Sequence, residues 1–133
     1  MQSTDQSGVD HPSFDVFARN CPSRSVLAHV TGRWGLLVLT GLQAGPARFN
    51  ALRRRVDGVS EKMLAQTLQA LEHDGFVDRE VLAVMPPSVV YSLTELGAGT
   101  ADRMVVLLDY LYAGMPAVLA ANSRAAPAPV ASG

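Results

Sequence analysis

The sequence is poor in cysteine, with one residue, Cys21, among 133. A single thiol excludes a framework of disulfides within the chain and fits a reducing compartment. The first twelve residues, MQSTDQSGVDHP, contain neither a basic segment nor an apolar stretch, so we expect no export signal there. Both features predict a cytoplasmic protein.

Motifs of catalysis, cofactor binding and metal binding are also lacking. The only lysine, Lys62, is not preceded by glycine, which excludes a phosphate-binding P-loop, and no GxSxG elbow is present. The three histidines lie far apart, without a cysteine at the spacing of metal ligands, so no metal site is expected. The sequence therefore predicts a protein that is not an enzyme and needs no cofactor.

Charge is nearly balanced, with a net charge of -1, which argues against a uniformly basic nucleic-acid binder. The distribution is uneven. Residues 24–62 contain seven basic residues and two acidic ones, whereas residues 72–109 contain seven acidic residues and two basic ones. A locally basic surface on a neutral protein is the electrostatic footprint of a nucleic-acid binding site.

The length allows one domain with a substantial core. We expect this domain to cover residues 13–121. Polar residues 1–12 and the alanine- and proline-rich residues 122–133 are predicted to be disordered tails.

The stretch from Phe49 to Arg79 predicts a helix-turn-helix. Asn50 is a suitable N-cap for a first short helix, and Asp57-Gly58 is a turn signal. Ser60 is a suitable N-cap for a second, longer helix, and Gly75 is typical of the position just after a helix.

The second of these helices has two different faces. Leu64, Leu68 and Leu71 share a narrow stripe at helical spacing, and a polar set that includes Lys62 and Gln66 projects from the other side without an acid. Glutamine can bond bidentately to adenine in the major groove, and lysine suits guanine or phosphate. A solvated helix face is the simpler interpretation, but the neighbouring short helix, turn and hairpin favour DNA recognition. The predicted DNA-binding residues are Ser60, Lys62, Met63, Gln66, Gln69, Arg48, Arg53, Arg54, Arg55 and Arg79.

Two further helices are predicted before this motif and a hairpin after it. Pro22 and Ser23 suit the first position and the cap of a helix that ends at Gly32. A second helix should bury Trp34, Leu37, Val38 and Leu42 and support the recognition helix. Segments 77–84 and 89–93 read as strands joined by a proline-containing turn. A hairpin directly behind a recognition helix is the wing of a winged helix, so the predicted fold is mainly α with a small β wing.

The last apolar segment, residues 104–121, is interrupted by Asp109, Gly114 and Pro116, so we do not expect it to span a membrane. Thr94 is a candidate cap for the helix that contains it. This helix is apolar nearly all the way round, which predicts a partner, and a second copy of the chain is the simplest one. The predicted dimer interface consists of Phe14, Phe17, Leu107, Leu108, Leu111 and Tyr112.

Four segments carry a family resemblance, namely the Cys21-Pro22 pair, GRWGLLVLTGLQAGPARFNALRR, SEKMLAQTLQALEHDGFVDRE and PPSVVYSLTELG. In this order they resemble the HxlR-type winged helix-turn-helix regulators of bacteria, relatives of the MarR group, over residues 21–113. The resemblance implies a homodimer that binds double-stranded DNA and reads bases with the helix from Ser60. In some members the equivalent of Cys21 senses oxidants or electrophiles. The chain departs from the family at Ser88, where a basic residue often follows the two prolines of the wing.

Three alternatives remain open at the level of the sequence. The regulator could respond to a small molecule in an apolar pocket between subunits, lined by Tyr110, Tyr112 and Met115. The winged helix could instead serve only protein contacts. Cys21 could be a small buried hydrophobic residue, although a position at a helix N-terminus stabilises a thiolate.

Overall fold

The computed structural model describes residues 14–124. The chain forms five α-helices, one short 3-10 helix and three strands within this range. In chain order these are α1 (Pro22–Thr31), α2 (Arg33–Gly41), the 3-10 helix (Leu42–Ala44), β1 (Ala47–Arg48), α3 (Phe49–Arg55), α4 (Glu61–His73), β2 (Val77–Leu82), β3 (Ser88–Leu93) and α5 (Glu95–Arg124). The predicted tail at residues 1–12 and most of the one at residues 122–133 lie outside the described residues.

The strands form one antiparallel sheet in the order β1-β3-β2. The β2–β3 hairpin pairs Val77 with Leu93 at its base and Leu82 with Ser88 near its tip. The predicted wing is therefore confirmed. The two-residue strand β1 was not predicted, because a segment this short has no period-2 pattern to detect.

The core lies between α2, α4 and the base of the sheet. Leu64, Leu68 and Leu71, the predicted stripe of α4, are each no more than 1% exposed. They belong to one cluster with Val38 and Leu39 of α2. Complete burial of a leucine side chain contributes about 1.5–3 kcal/mol. The support of α4 by α2 is thus confirmed, and it fixes which side of α4 faces solvent.

Two predicted helix caps are wrong. Helix α3 begins at Phe49 with Arg48 as its N-cap, so Asn50 lies inside the first turn. Pairing of Arg48 with Val90 in the sheet holds that residue extended, and the helix starts directly after it. Helix α1 has Cys21 rather than Ser23 as its N-cap, and Pro22 is its first residue as predicted.

The buried face of α2 also differs from the prediction. Val38, Leu39 and Leu42 are almost fully buried, whereas Leu37 is 36% exposed. Leu37 instead lines a groove shared with Leu108 and Tyr112 of α5. The prediction placed Leu37 on the buried face of α2 because Leu37 shares helical spacing with Trp34. In the structure Leu39 lies on that face instead.

Helix α5 is longer and less interrupted than the sequence suggested. Thr94 caps it as predicted, since Thr94 Oγ1 accepts a hydrogen bond from the N–H of Gly97 at 3.0 Å. The helix then continues through Pro116 to Arg124, because the residues that interrupt the apolar run do not end the helix. It also passes the predicted domain end at residue 121 by three residues. By length and composition alone it is long and apolar enough to cross a membrane.

Candidate nucleic-acid interface

Helix α4 is held at both ends by its own local contacts. Ser60 Oγ accepts a hydrogen bond from the N–H of Met63 at 3.0 Å, which confirms the predicted N-cap. At the other end Gly75 has a φ of 86°, and the N–H of Phe76 donates to the carbonyl of Leu71 at 2.9 Å. This is a Schellman closure, in which glycine supplies the left-handed residue. The direction of α4 is therefore set independently of any ligand.

The solvent face of α4 carries the predicted polar residues. Lys62, Gln66 and Gln69 are exposed, and Met63 is 38% exposed beside them. Within residues 14–124 no carboxylate forms an ion pair with Lys62. An ammonium group and two amides are thus available to bond to base edges or phosphates.

The arginines around α3 are divided between two sides of the molecule. Arg48 and Arg54 line the same cleft together with Ser88 and Val89 of β3, on the side of the wing. Arg55 lies elsewhere, in the groove formed with Leu37 and α5. The sequence run of three arginines therefore does not form a single patch.

Arg53 and Arg79 complete the predicted set. Arg53 Nη1 lies 3.4 Å from Glu61 Oε2, in a pair that is largely solvent-exposed. Such exposed pairs contribute little stability, so Arg53 remains able to exchange Glu61 for a phosphate. Arg79 is exposed on β2, opposite Tyr91 of β3.

The tip of the wing is apolar. Val81, Val84 and Met85 are exposed, Met85 to 95%. No lysine or arginine occurs between Arg79 and Arg103. The wing tip consequently offers no cation to a phosphate, so the basic residues of this surface come from α3, α4 and the base of the sheet.

A cluster that sequence reasoning missed connects α1 to the end of α4. Nδ1 of His29 donates to Oδ2 of Asp74 at 2.6 Å, and Nδ1 of His73 lies 3.2 Å from the other carboxylate oxygen. Asp74 is the C-cap of α4, and its side chain is only 10% exposed. Burial raises the pKa of Asp74, but the hydrogen bonds and charges of the two histidines outweigh it, and the pKa is lowered overall. His29 and Asp74 are 45 positions apart, so no sequence spacing indicates the contact.

The thiol of Cys21 lies at the start of α1 inside a small hydrogen-bonded turn. The hydroxyl of Ser23 and the N–H of Asp15 each donate to Sγ at 3.2 Å. The bond from Ser23 is the largest of the effects that lower the pKa of Cys21 below its ordinary value. Ser23 was predicted to cap α1, but its hydroxyl instead donates a hydrogen bond to the sulfur of Cys21.

The residues predicted to form a dimer interface remain uncovered in the single chain. Phe17 is 89% exposed, and Tyr112 is 66% exposed. Phe14, Leu107 and Leu111 are also exposed, whereas Leu108 is half-buried in the groove with Arg55. Aromatic and aliphatic surface of this extent indicates an interaction site.

Comparison with known proteins agrees with this architecture. The family described as HxlR-like helix-turn-helix matches residues 29–117. The chain belongs to the HxlR family. The chain is 52% identical to the HTH-type transcriptional regulator YtfH of Escherichia coli K12 over 112 residues, which cover 84% of this chain and 89% of YtfH. The proteins of the HxlR family are transcriptional regulators with a helix-turn-helix.

Two solved structures of regulators are similar to this HxlR-family chain. The transcriptional regulator YtfH of Salmonella typhimurium is 53% identical, with a TM-score of 0.78, over 84% of this chain and 99% of its own. The redox regulator HypR in its oxidized form is 34% identical, with a TM-score of 0.62, over 68% of this chain and 93% of its own. The winged helix-turn-helix fold predicted from the sequence is thereby confirmed.

Proposed function

We propose that this HxlR-family regulator acts as a homodimer on an inverted repeat of double-stranded DNA and reads bases with α4. The observation that carries the proposal is the solvent face of α4, where Lys62, Gln66 and Gln69 are exposed on a helix locked by caps at both ends. A rigid polar helix loses little conformational freedom on binding, and glutamine and lysine match the donors and acceptors of the major groove. Arg48 and Arg54 line a cleft with β3 of the wing, where they would contact phosphates.

Replacement of Gln66 by alanine tests the reading role. The variant should bind the specific site about 1–3 kcal/mol more weakly and lose preference at one base position, because a bidentate contact is removed. Its binding to random DNA should hardly change. Titration of wild type and variant on the two DNAs, by fluorescence anisotropy, measures both quantities. Equal losses on specific and random DNA would show that Gln66 does not read sequence.

The dimer is supported by the uncovered surface of α5 and of the segment that contains Phe14 and Phe17. An exposed apolar helix in a family of DNA-binding regulators is accounted for by a second copy of the chain. Two copies related by a twofold axis would hold their α4 helices about 34 Å apart, one turn of DNA. The site on DNA would then be an inverted repeat.

Control of DNA binding by Cys21 is the second part of the proposal. The hydrogen bonds from Ser23 and Asp15 favour the thiolate, which is the form that reacts with oxidants and electrophiles. Because the chain has no other cysteine, an oxidant would either join the two Cys21 residues of a dimer or leave a sulfenic acid that a small thiol then caps. A direct disulfide requires the two Cα atoms to lie within about 7 Å.

A gel shift with diamide or a quinone, run beside a non-reducing gel, tests Cys21. Wild type should lose DNA affinity as its thiol is modified, and Cys21→Ser should keep its affinity under the same treatment. If modified wild type binds as tightly as before, Cys21 is structural.

A small-molecule signal at the dimer interface is the alternative, and the response to it would persist in Cys21→Ser. Tyr112 lines a groove of about 480 Å³, but Tyr110 and Met115 do not line it.

A further inference from the structure

Arg33 lies beside the recognition helix α4, although it precedes the helix-turn-helix in the sequence. It is the first residue of α2 and is exposed. Together with Trp34 it lines a groove of about 340 Å³ against α4. On the α4 side the groove is lined by Met63, Gln66, Thr67 and Ala70. Arg33 thus lies beside Gln66 on the edge of α4 that faces α1 and α2, whereas Arg48 and Arg54 line a separate cleft with β3.

The guanidinium group of Arg33 is oriented by Trp34. The Cζ atom of Arg33 lies 5.1 Å from the centroid of the Trp34 ring, within the distance of a cation–π interaction. Trp34 itself packs against the hydrophobic core, so it offers Arg33 a fixed support. Stacking leaves the edge of the guanidinium fork, with its N–H donors, directed to other groups.

The positive charge of Arg33 is not neutralised by an acidic side chain of the part of the chain that the structure describes. Across residues 14–124 no carboxylate lies within 4.0 Å of the charged nitrogens of Arg33. At the two ends of α4, Glu61 is paired with Arg53, and Asp74 with His29 and His73. A supported arginine without an acidic neighbour is suited to a phosphate, which it can bind bidentately.

We propose that Arg33, held against Trp34, binds a DNA backbone phosphate at the edge of α4 that faces α1 and α2. The proposal rests on the proposed binding of α4 to DNA. In this arrangement phosphate contacts come from two elements, α2 through Arg33 and α3 through Arg54, and the uncharged wing tip provides none. Since a phosphate carries no sequence, Arg33 sets affinity and the position of Gln66 rather than base preference.

The test measures binding of the full chain to a random-sequence duplex over a series of salt concentrations. Arg33→Ala should bind about tenfold more weakly at low salt, because one charge-assisted bond is lost. The slope of log affinity against log salt should fall by about 0.9 for each phosphate contact removed. Arg33→Lys should keep most of the slope but not the full affinity, since lysine neither stacks nor binds bidentately as arginine does. Arg103→Ala, a change at an exposed arginine of α5, is the matched control and should leave both quantities unchanged.

Tryptophan fluorescence provides an independent readout because Trp34 is the only tryptophan. Emission of the DNA-free protein should change in Arg33→Ala, which loses the stacked cation, and not in Arg103→Ala. The proposed role of Arg33 is wrong if Arg33→Ala keeps the salt slope of wild type. It is also wrong if the emission of Trp34 is the same in wild type and Arg33→Ala. In either case the proposed binding of DNA stands. If wild type binds no duplex at low salt, the proposed function and this inference both fail.

Discussion

Helices α4 and α5 differ in which of their surfaces they bury. Helix α4 buries its leucine stripe completely and exposes two glutamines, a lysine, a histidine and two glutamates. Helix α5 buries only Gly97, Ala101 and Met104, near its start, and exposes apolar side chains over the rest of its 30 residues. Within the protomer, α4 therefore buries its whole leucine stripe, whereas most of the apolar side chains of α5 remain exposed.

This difference indicates two kinds of partner. A polar face on a fixed helix matches the grooves and phosphates of DNA, which are polar and charged. An apolar face that extends about 1.5 Å per residue away from the core matches another apolar surface. Changes on α5 should thus act on assembly, and changes around α4 should act on DNA binding or on the support of α4.

The largest effect is expected from Leu111→Asp. Leu111 is 46% exposed in the protomer and does not belong to its buried core. Each leucine lost from a dimer interface removes about 1.5–3 kcal/mol of burial, and each interface contains two copies. Light scattering should therefore find a monomer for the variant and a dimer for wild type. Circular dichroism should show that the variant is folded. Leu96→Asp, at an exposed leucine in the first turn of α5, is the control and should remain dimeric. A dimeric Leu111→Asp would place the interface elsewhere.

Arg54→Ala and Arg55→Ala separate the two surfaces around α3. Arg54 shares a cleft with Arg48 beside the wing, and Arg55 lies in the groove with α5. Arg54→Ala should weaken binding to every sequence and lower the salt slope by about 0.9 per phosphate contact, because a phosphate contact is lost. Arg55→Ala should keep the slope. Filter binding over a range of salt concentrations measures both, and the opposite pattern would reverse the assignment of these two neighbours.

Ser60→Ala tests how firmly α4 is held. Loss of the bond to the N–H of Met63 should lower the free energy of unfolding by about 1 kcal/mol. Ser60→Asp should largely restore stability, because aspartate also caps helices. Denaturant unfolding followed by circular dichroism provides the values. An unchanged midpoint in Ser60→Ala would mean that tertiary packing alone fixes the start of α4.

The smallest effect concerns acid sensitivity at Asp74. Its pKa is lowered in the folded chain, so its contribution to stability is present above the ordinary value of 3.8 and is lost as pH falls through the lowered value. Wild type should therefore lose stability more steeply than Asp74→Asn below about pH 4. Thermal unfolding between acid and neutral pH measures the difference. Parallel pH profiles would show that the bond to His29 does not stabilise the charged form.

Elements defined by local chemistry could be predicted from the sequence. Ser60, Gly75 and Thr94 each mark a helix end through contacts within a few residues, and the leucine stripe of α4 follows from helical spacing. These features determine the helix-turn-helix and the position of the residues of α4 that are proposed to bind DNA.

Features that depend on distant contacts could not be predicted. Strand β1 exists only because β3 pairs with it, and Arg48 becomes a helix cap for the same reason. The separation of Arg54 from Arg55 reflects the position of α5, more than 40 residues later in the chain. The contact between Arg33 and the α4 groove likewise depends on how α2 packs against α4.

Footprinting of the dimer on the DNA that flanks its own gene tests the central claim most directly, namely that two α4 helices read an inverted repeat. The account predicts two protected half-sites whose centres lie about 34 Å apart along the duplex, on one face, with contact to major-groove base edges. Protection should be lost in Leu111→Asp, which separates the two helices. A single protected half-site, or equal protection of all sequences by wild type, would contradict the account.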